Sequence, residues 1–372
     1  MREWHKFLIL VGIFLVFYFA PIDAPIVITA ISGGFVLLQE YARLHVLTCL
    51  VPAFFIAGTI AVYVKKDAVM RLLGPATKKY IAYPVGSISG GILAVCSCTI
   101  LPLFTGIYKR GAGIGPAVAF LFAGPAVNIT AILLTSSVLG WDFAIGRLIA
   151  ATIISIVAGL IMALVFREHD RKTAENNFAA GLASDVPYSN ASITLFFLLQ
   201  LAVLVLFSLS IDPVLKGIII VASLIGITAI AVLKFRKEHN SEWFRETWDL
   251  TKKIMPYLFI GVFFAGMIEL LVPQEVVTNL VGENTVLSNA IASTFGAFMY
   301  FATLTEVPII QKLMELGMGR GPALTLFLTG NALSLPSMIV LFNVMGRKQA
   351  SVYILAVVSL SVIAGWIFGA MV

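Results

Sequence analysis

Two cysteines separated by one serine, Cys96-Ser97-Cys98, lie inside an apolar run that opens with Gly90-Gly91 and continues into Thr99 and Pro102. Thiolates are soft ligands that hold thiophilic metals and metalloids, and thiols also exchange with disulfides. A second apolar run, 287–316, carries Thr303, Thr305 and Glu306 just before Pro308. An ionised carboxylate at membrane depth is costly, so Glu306 is a candidate proton carrier or cation ligand. Two further breaks are written in Gly124-Pro125-Ala126-Val127-Asn128 and Gly330-Asn331-Ala332-Leu333-Ser334. Helix ends at such breaks expose N–H or C=O groups and a partial charge. Ser97, Thr99, Asn128, Thr303, Thr305, Asn331 and Ser334 would complete a small polar chamber between them.

Each of these residues also has a plainer reading. A free cysteine is often a small buried hydrophobe, but two of the three cysteines share one tip here, which favours a ligand role. Cys49 is read as packing. A Cys-x-Cys pair supplies only half the ligands of a structural zinc, so no metal site is expected. Glu306 on a shallow loop would simply be wet or paired with Lys312. Arg147 and Glu269, near outer ends of apolar segments, read as snorkelling or pairing side chains, and Gln200 as an interhelical hydrogen bond. There is no phosphate-binding loop, dinucleotide fingerprint or HExxH motif. Catalysis and cofactors are therefore not expected.

The elements that must position these groups are membrane helices. The 372 residues are 60% hydrophobic and 12% charged, with mean hydropathy +1.00; soluble domains are about a quarter charged. Apolar stretches of spanning length recur along the chain. The expected fold is an all-α polytopic membrane protein with about nine transmembrane helices and two re-entrant helical hairpins. The full spans expected are 6–20, 46–64, 114–138, 143–166, 193–210, 214–233, 254–272, 321–342 and 350–371. The first is read as an uncleaved span, and 26–38 as an interfacial helix or partial span. Segments 80–108 and 287–316 are too long for one crossing and too short for two, and both are broken near the middle. They are read as the hairpins, since non-helical backbone survives at membrane depth only when buried in protein or facing water.

Charge supports that threading. With a cytoplasmic N-terminus and both hairpins in place, every Lys and Arg lies inside except Arg43, Arg147, Lys216, Lys312 and Arg320. Counting 80–108 as one crossing would put the basic loops at 167–172 and 234–253 outside, against the positive-inside rule. The net charge of +6 is thus a topology signal, and no nucleic-acid partner is implied. The basic, Trp-containing stretch 234–253 suits an amphipathic helix on the cytoplasmic leaflet.

The chain also repeats. At an offset of 206 residues, Ser87, Gly90, Thr99, Pro102 and Gly124 meet Ser293, Gly296, Thr305, Pro308 and Gly330, and Gly111, Gly113, Gly115 and Pro116 meet Gly317, Gly319, Gly321 and Pro322. The expected organisation is an N-terminal span and interfacial segment (1–45), repeat 1 (46–166), a two-span connector (167–253) and repeat 2 (254–372). The threading makes the repeats inverted in topology. Secondary transporters are built this way, with sites near the midplane on discontinuous helices.

The combination of Ser89-Gly90-Gly91 with Cys96-Ser97-Cys98, Pro102, Gly111-x-Gly-x-Gly-Pro and Gly124-Pro125-Ala126-Val127-Asn128, with a second copy ending Gly330-Asn331-Ala332-Leu333-Ser334, resembles a prokaryotic family of predicted permeases. That family includes the ArsP-type organoarsenical exporters. The resemblance implies a plasma-membrane permease, and for the ArsP-like members export of trivalent organoarsenicals with cysteines holding the arsenic; Cys96 and Cys98 match that role. The expected activity is secondary transport of a small thiophilic solute held between the hairpin tips, with Glu306 coupling to protons. A permease for a small anion or sulfur compound is the alternative, and a membrane thiol redox enzyme a more distant one. The expected partners are a small-molecule or ion substrate and the lipid bilayer. Oligomeric state is open, with a homodimer compatible.

Overall fold

The computed structural model describes residues 11, 24–64, 66–74, 77–92, 97–168, 170–171, 188–208, 212–271, 280–300 and 306–372. Among them the fold is entirely helical. The expected span 6–20 lies outside the described residues apart from position 11.

The first helices are α1 (Pro25–Tyr41) and α2 (Val51–Val62), joined without interruption by a π-helical stretch, Ala42–Leu50. The separate segment expected at 26–38 is therefore part of one 38-residue helical rod. Pro25 and Pro52 open helical segments at N1 or N2, where proline's missing N–H costs little. There follow α3 (Lys66–Leu73), α4 (Lys79–Ile92), α5 (Ser97–Lys109), α6 (Ile114–Ala126), α7 (Ile129–Leu139) and α8 (Trp141–Val165). Next come α9 (Asn190–Ser208), α10 (Pro213–Leu233) and α11 (Lys237–Leu271). The second half contains α12 (Val286–Phe298), α13 (Glu306–Glu315), α14 (Arg320–Ala332), α15 (Leu335–Val344) and α16 (Arg347–Met371).

Among the described residues five helices are long and apolar enough to cross a membrane: Pro25–Val62, Trp141–Val165, Val214–Leu233, Lys237–Met267 and Arg347–Met371. The spans expected at 114–138 and 321–342 are the bent pairs α6–α7 and α14–α15, broken at the Gly124–Asn128 and Gly330–Ser334 positions and each turning by 45°; counted as one span each they bring the number to seven. In α9 the apolar stretch Ala191–Phe207 is shorter than these. The basic stretch expected as a surface helix, 234–253, runs straight into the span after it as α11, with Pro256 inside.

The 206-residue offset is written into the backbone. Shifted by 206, α6 falls on α14 and α8 on α16 with the same first and last residues. Four glycines with positive φ pair at that offset: Gly111 (99°) with Gly317 (108°), and Gly140 (97°) with Gly346 (87°). Helix crossings repeat too. A β-carbon on Gly90 would lie 2.7 Å from Phe120 O and 2.9 Å from Gly124 N; on Gly296 it would lie 3.1 Å from both Leu326 O and Gly330 N. Gly115 crosses Gly159 as Gly321 crosses Gly365, each pair of backbones within van der Waals reach of one missing β-carbon. Small residues at such crossings let membrane helices approach closely.

In each half three helices stack together, α4–α6–α8 and α12–α14–α16. The halves meet along matched pairs: α6 on α14, α8 on α16, and α2 on α11. They also exchange arms, with α13 packing on α7 and α5 packing on α15. Gly113 N–H donates to Leu73 O at 2.8 Å, and Gly319 N–H to Val281 O at 3.0 Å. The chain entering α4 and the chain leaving α5 therefore lie at one end of the molecule, as do the entry to α12 and the exit from α13. Lys109 pairs with Glu246 at 2.7 Å, and Arg110 donates to Ile60 O and Val62 O. The basic segments around 62–73, 109–110 and 237–246 thus share an end.

Candidate functional site

Glu306 is the first residue of α13 and is fully buried. Arg147 stands in the second turn of α8, on a helix whose other residues after Asp142 are uncharged, and is 1% exposed. Arg147 Nη2 lies 3.5 Å from Glu306 Oε2. Of the two expectations for Arg147, snorkelling or pairing, the structure shows pairing: it is a core residue paired across the two halves. Lys312, the alternative partner considered for Glu306, is exposed and sits 3.5 Å from Glu315 instead.

The pair is held by neutral groups on each side. Asn331 Nδ2, near the end of α14, donates to Glu306 Oε2 at 2.7 Å. Arg147 Nη1 donates to Thr135 Oγ1 of α7 at 2.9 Å, and Thr135 passes its own proton to Ala131 O at 2.6 Å. The guanidinium lies over the Phe327 ring of α14, 4.5 Å from its centre, a geometry that favours the cation. Thr135 and Arg147 belong to the first half; Glu306, Phe327 and Asn331 belong to the second. Glu306 Oε1 and Arg147 Nη2 make no hydrogen bond among the described residues. A buried ion pair gains its Coulomb energy only after a large desolvation cost, and unfilled hydrogen-bonding capacity leaves that cost partly unmet.

The pair has no copy at the 206-residue offset. The counterparts of Glu306, Arg147 and Thr135 are Ile100, Tyr353 and Leu341. All three are buried, and the Tyr353 hydroxyl makes no hydrogen bond among the described residues. The two halves share a frame and differ in chemistry.

The other expected site residues distribute as follows. Asn331 joins the pair directly. Asn128 is buried at the α6–α7 break, and Thr99 is buried in the first turn of α5. Gly124 receives Ile100: an added β-carbon would meet Ile100 Cδ1 at 2.6 Å. Pro125 lies inside the last turn of α6, and Pro102 inside α5. Pro308 is the third residue of α13, and Gly330 lies against Gly296. Ser334 is buried as the N-cap of α15, donating to Ser337 Oγ at 2.8 Å and accepting from Ser337 N–H, so its hydroxyl is engaged structurally here. Cys96, Thr303 and Thr305 lie outside the described residues. Ser97 and Cys98 open α5, and their side chains lie outside them as well. Gln200 is the interhelical link expected, accepting from Thr59 Oγ1 at 2.9 Å. Among the described residues no group of three or more His, Cys, Asp or Glu could hold a metal ion.

The buried carboxylate–guanidinium pair joins the two halves beside α7 and α14, members of the two bent pairs. The ArsP_1 family, described as a predicted permease, matches residues 31–370. The chain belongs to this family. A UPF0718 protein of Methanocaldococcus jannaschii, MJ0584, is 43% identical over 342 residues, covering 89% of this chain and 93% of its own. The UPF0718 protein YraQ of Escherichia coli K12 is 24% identical over 310 residues, covering 81% of this chain and 72% of its own. A Streptococcus mutans protein named as a putative two-component membrane permease complex subunit is 28% identical over 116 residues, 31% of this chain and 38% of its own. No solved structure matches the chain. Membership of a permease family, with several apolar helices of spanning length, supports a multi-pass membrane transporter rather than an enzyme.

Proposed function

We propose that this permease is a secondary transporter that carries a small solute between two broken-helix tips, with Glu306 as its coupling carboxylate. The observation that carries the proposal is the fully buried Glu306–Arg147 pair, which ties α13 of one half to α8 of the other. In this reading residues 46–166 and 254–372 are inverted repeats, 167–253 connects them, and the arms 80–108 and 287–316 are re-entrant. The shared ends of each arm pair and the reciprocal packing of α13 on α7 and α5 on α15 support that arrangement. Alternating access then moves one half against the other around the tips. The protein lies in the plasma membrane with a cytoplasmic N-terminus, following the charge distribution.

The substrate proposed is a small thiophilic solute such as a trivalent organoarsenical, held by Cys96 and Cys98. The test is flux of methylarsenite in proteoliposomes under an imposed pH gradient. Flux is expected in the native protein and is expected to vanish in the Cys96→Ser/Cys98→Ser variant at equal protein content; undiminished flux in that variant would remove the thiol role. Counterflow without a gradient separates a carrier from a channel. A second reading, a small anion or sulfur compound, is favoured by Arg147, a buried cation beside the same break.

A further inference from the structure

The buried pair constrains what can replace it. The site now holds one cation, Arg147, and one anion, Glu306, with neutral Asn331, Thr135 and Phe327 around them. Among the described residues Arg147 is the charged group that reaches Glu306, from α8; α7 and α14 present only neutral groups to the pair. A bare anion entering would leave the pocket with one negative charge in excess. Protonation of Glu306 alone would leave Arg147 uncompensated. Either state buries a net charge, which is strongly unfavourable. Anion entry together with protonation keeps the pocket neutral.

We infer that Arg147 binds a small monovalent oxyanion in exchange for Glu306, which takes up one proton as it is displaced. The inference rests on the second reading above, a permease for a small anion, and adds the charge class of that anion and its coupling ratio. In the step, the Arg147–Glu306 contact breaks and an Arg147–oxyanion contact forms. One proton from water goes onto the Glu306 carboxylate and leaves when the pair closes again. No electrons are transferred, and the transport cycle carries no net charge.

The structure prepares Arg147 for the exchange. Its Nη1 is anchored on Thr135 and its face on Phe327, so the guanidinium keeps its place when Glu306 lets go. Nη2 makes no hydrogen bond among the described residues, and the planar guanidinium fork suits two oxygens of one anion. Asn331 Nδ2, released from Glu306 Oε2, supplies a neighbouring donor.

The test uses the full-length purified protein with nitrate, methanesulfonate and thiosulfate, all of which stay ionised over the working pH range. Anion binding is followed by calorimetry, and proton uptake by a pH dye in weak buffer. Native protein should take up about one proton per nitrate or methanesulfonate bound, so affinity should fall about tenfold per pH unit where uptake occurs. Glu306→Gln fixes the displaced form: it should still bind the monovalent anions, with neither proton uptake nor pH slope. Arg147→Gln/Glu306→Gln keeps the pocket neutral and should fold but not bind. Anion binding by that double variant, a flat pH profile in native protein, or no binding of any of the three anions would overturn the inference. Methylarsenite flux without anion binding would leave the permease standing while removing this substrate class; absence of flux for every solute would remove the permease reading itself.

Discussion

The Glu306–Arg147 pair should dominate the response of this protein to single substitutions, and a double-mutant cycle measures by how much. Unit charges 3.5 Å apart attract by about 5 kcal/mol at an effective dielectric constant of about 20. Removing one partner leaves the other charge buried, a loss of about 3–5 kcal/mol, whereas replacing both with apolar or neutral groups of similar volume is often neutral or stabilising. The two single losses are unequal. A carboxylate left alone can take a proton, but a guanidinium cannot shed one. Glu306→Gln should therefore cost more than Arg147→Met, and Arg147→Met/Glu306→Gln should recover most of the larger loss. The assay is unfolding in detergent, by heat or by added denaturing detergent, followed through tryptophan fluorescence at fixed protein concentration. A coupling energy of about 3 kcal/mol or more is expected, well above the 0.5 kcal/mol scatter of independent sites. Single losses below about 1 kcal/mol that simply add in the double variant would match an exposed ion pair and refute the buried one.

Other substitutions probe the frame. Gly90→Ala drives a β-carbon to 2.7 Å from Phe120 O, whereas Gly296→Ala reaches only 3.1 Å from its neighbours; both should lower the melting temperature, and Gly90→Ala by more, on the scale of about 1–3 kcal/mol for overpacking. Gly140→Ala meets no atom within 4 Å but keeps φ at +97°, so its cost should be backbone strain alone, about 1–2 kcal/mol, with solute flux unchanged. Lys109→Ala removes a half-exposed ion pair with Glu246 and should shift stability by less than about 1 kcal/mol in thermal melts. Thr135→Val deletes the acceptor for Arg147 Nη1 and should cost about 1–3 kcal/mol in the same melts through the unsatisfied buried donor.

The frame was legible in the sequence because glycine and proline mark it. Gly111, Gly140, Gly317 and Gly346 adopt positive φ, and Gly90, Gly115 and Gly321 sit where two backbones touch; such positions resist substitution. The breaks at Asn128 and Ser334 were visible for the same reason. Continuity was harder to read. The chain passes Ala42–Leu50 as π-helix between two α-helical segments, and α11 carries its charged first half through to its apolar second half; Pro52 and Pro256 stand at these junctions without ending the helix. Glu306 stood out as a carboxyl in an apolar run. Arg147 was the equal signal, a lone charge in an apolar helix, but its partner lies in the other half of the chain. Nothing local says which distant helix will cover it, so Thr135 and Phe327 were missed with it.

The four positive-φ glycines and the paired glycine crossings show what a duplicated half is obliged to keep. At Gly90, Gly115, Gly124 and Gly159 an added β-carbon would come within 3 Å of a neighbour, and both copies hold glycine there. At 100 and 306, 135 and 341, and 147 and 353 the copies differ, and the ion pair draws one charged residue from each half. One repeated frame thus carries two different sets of side chains, and neither half alone holds both charges of the pair.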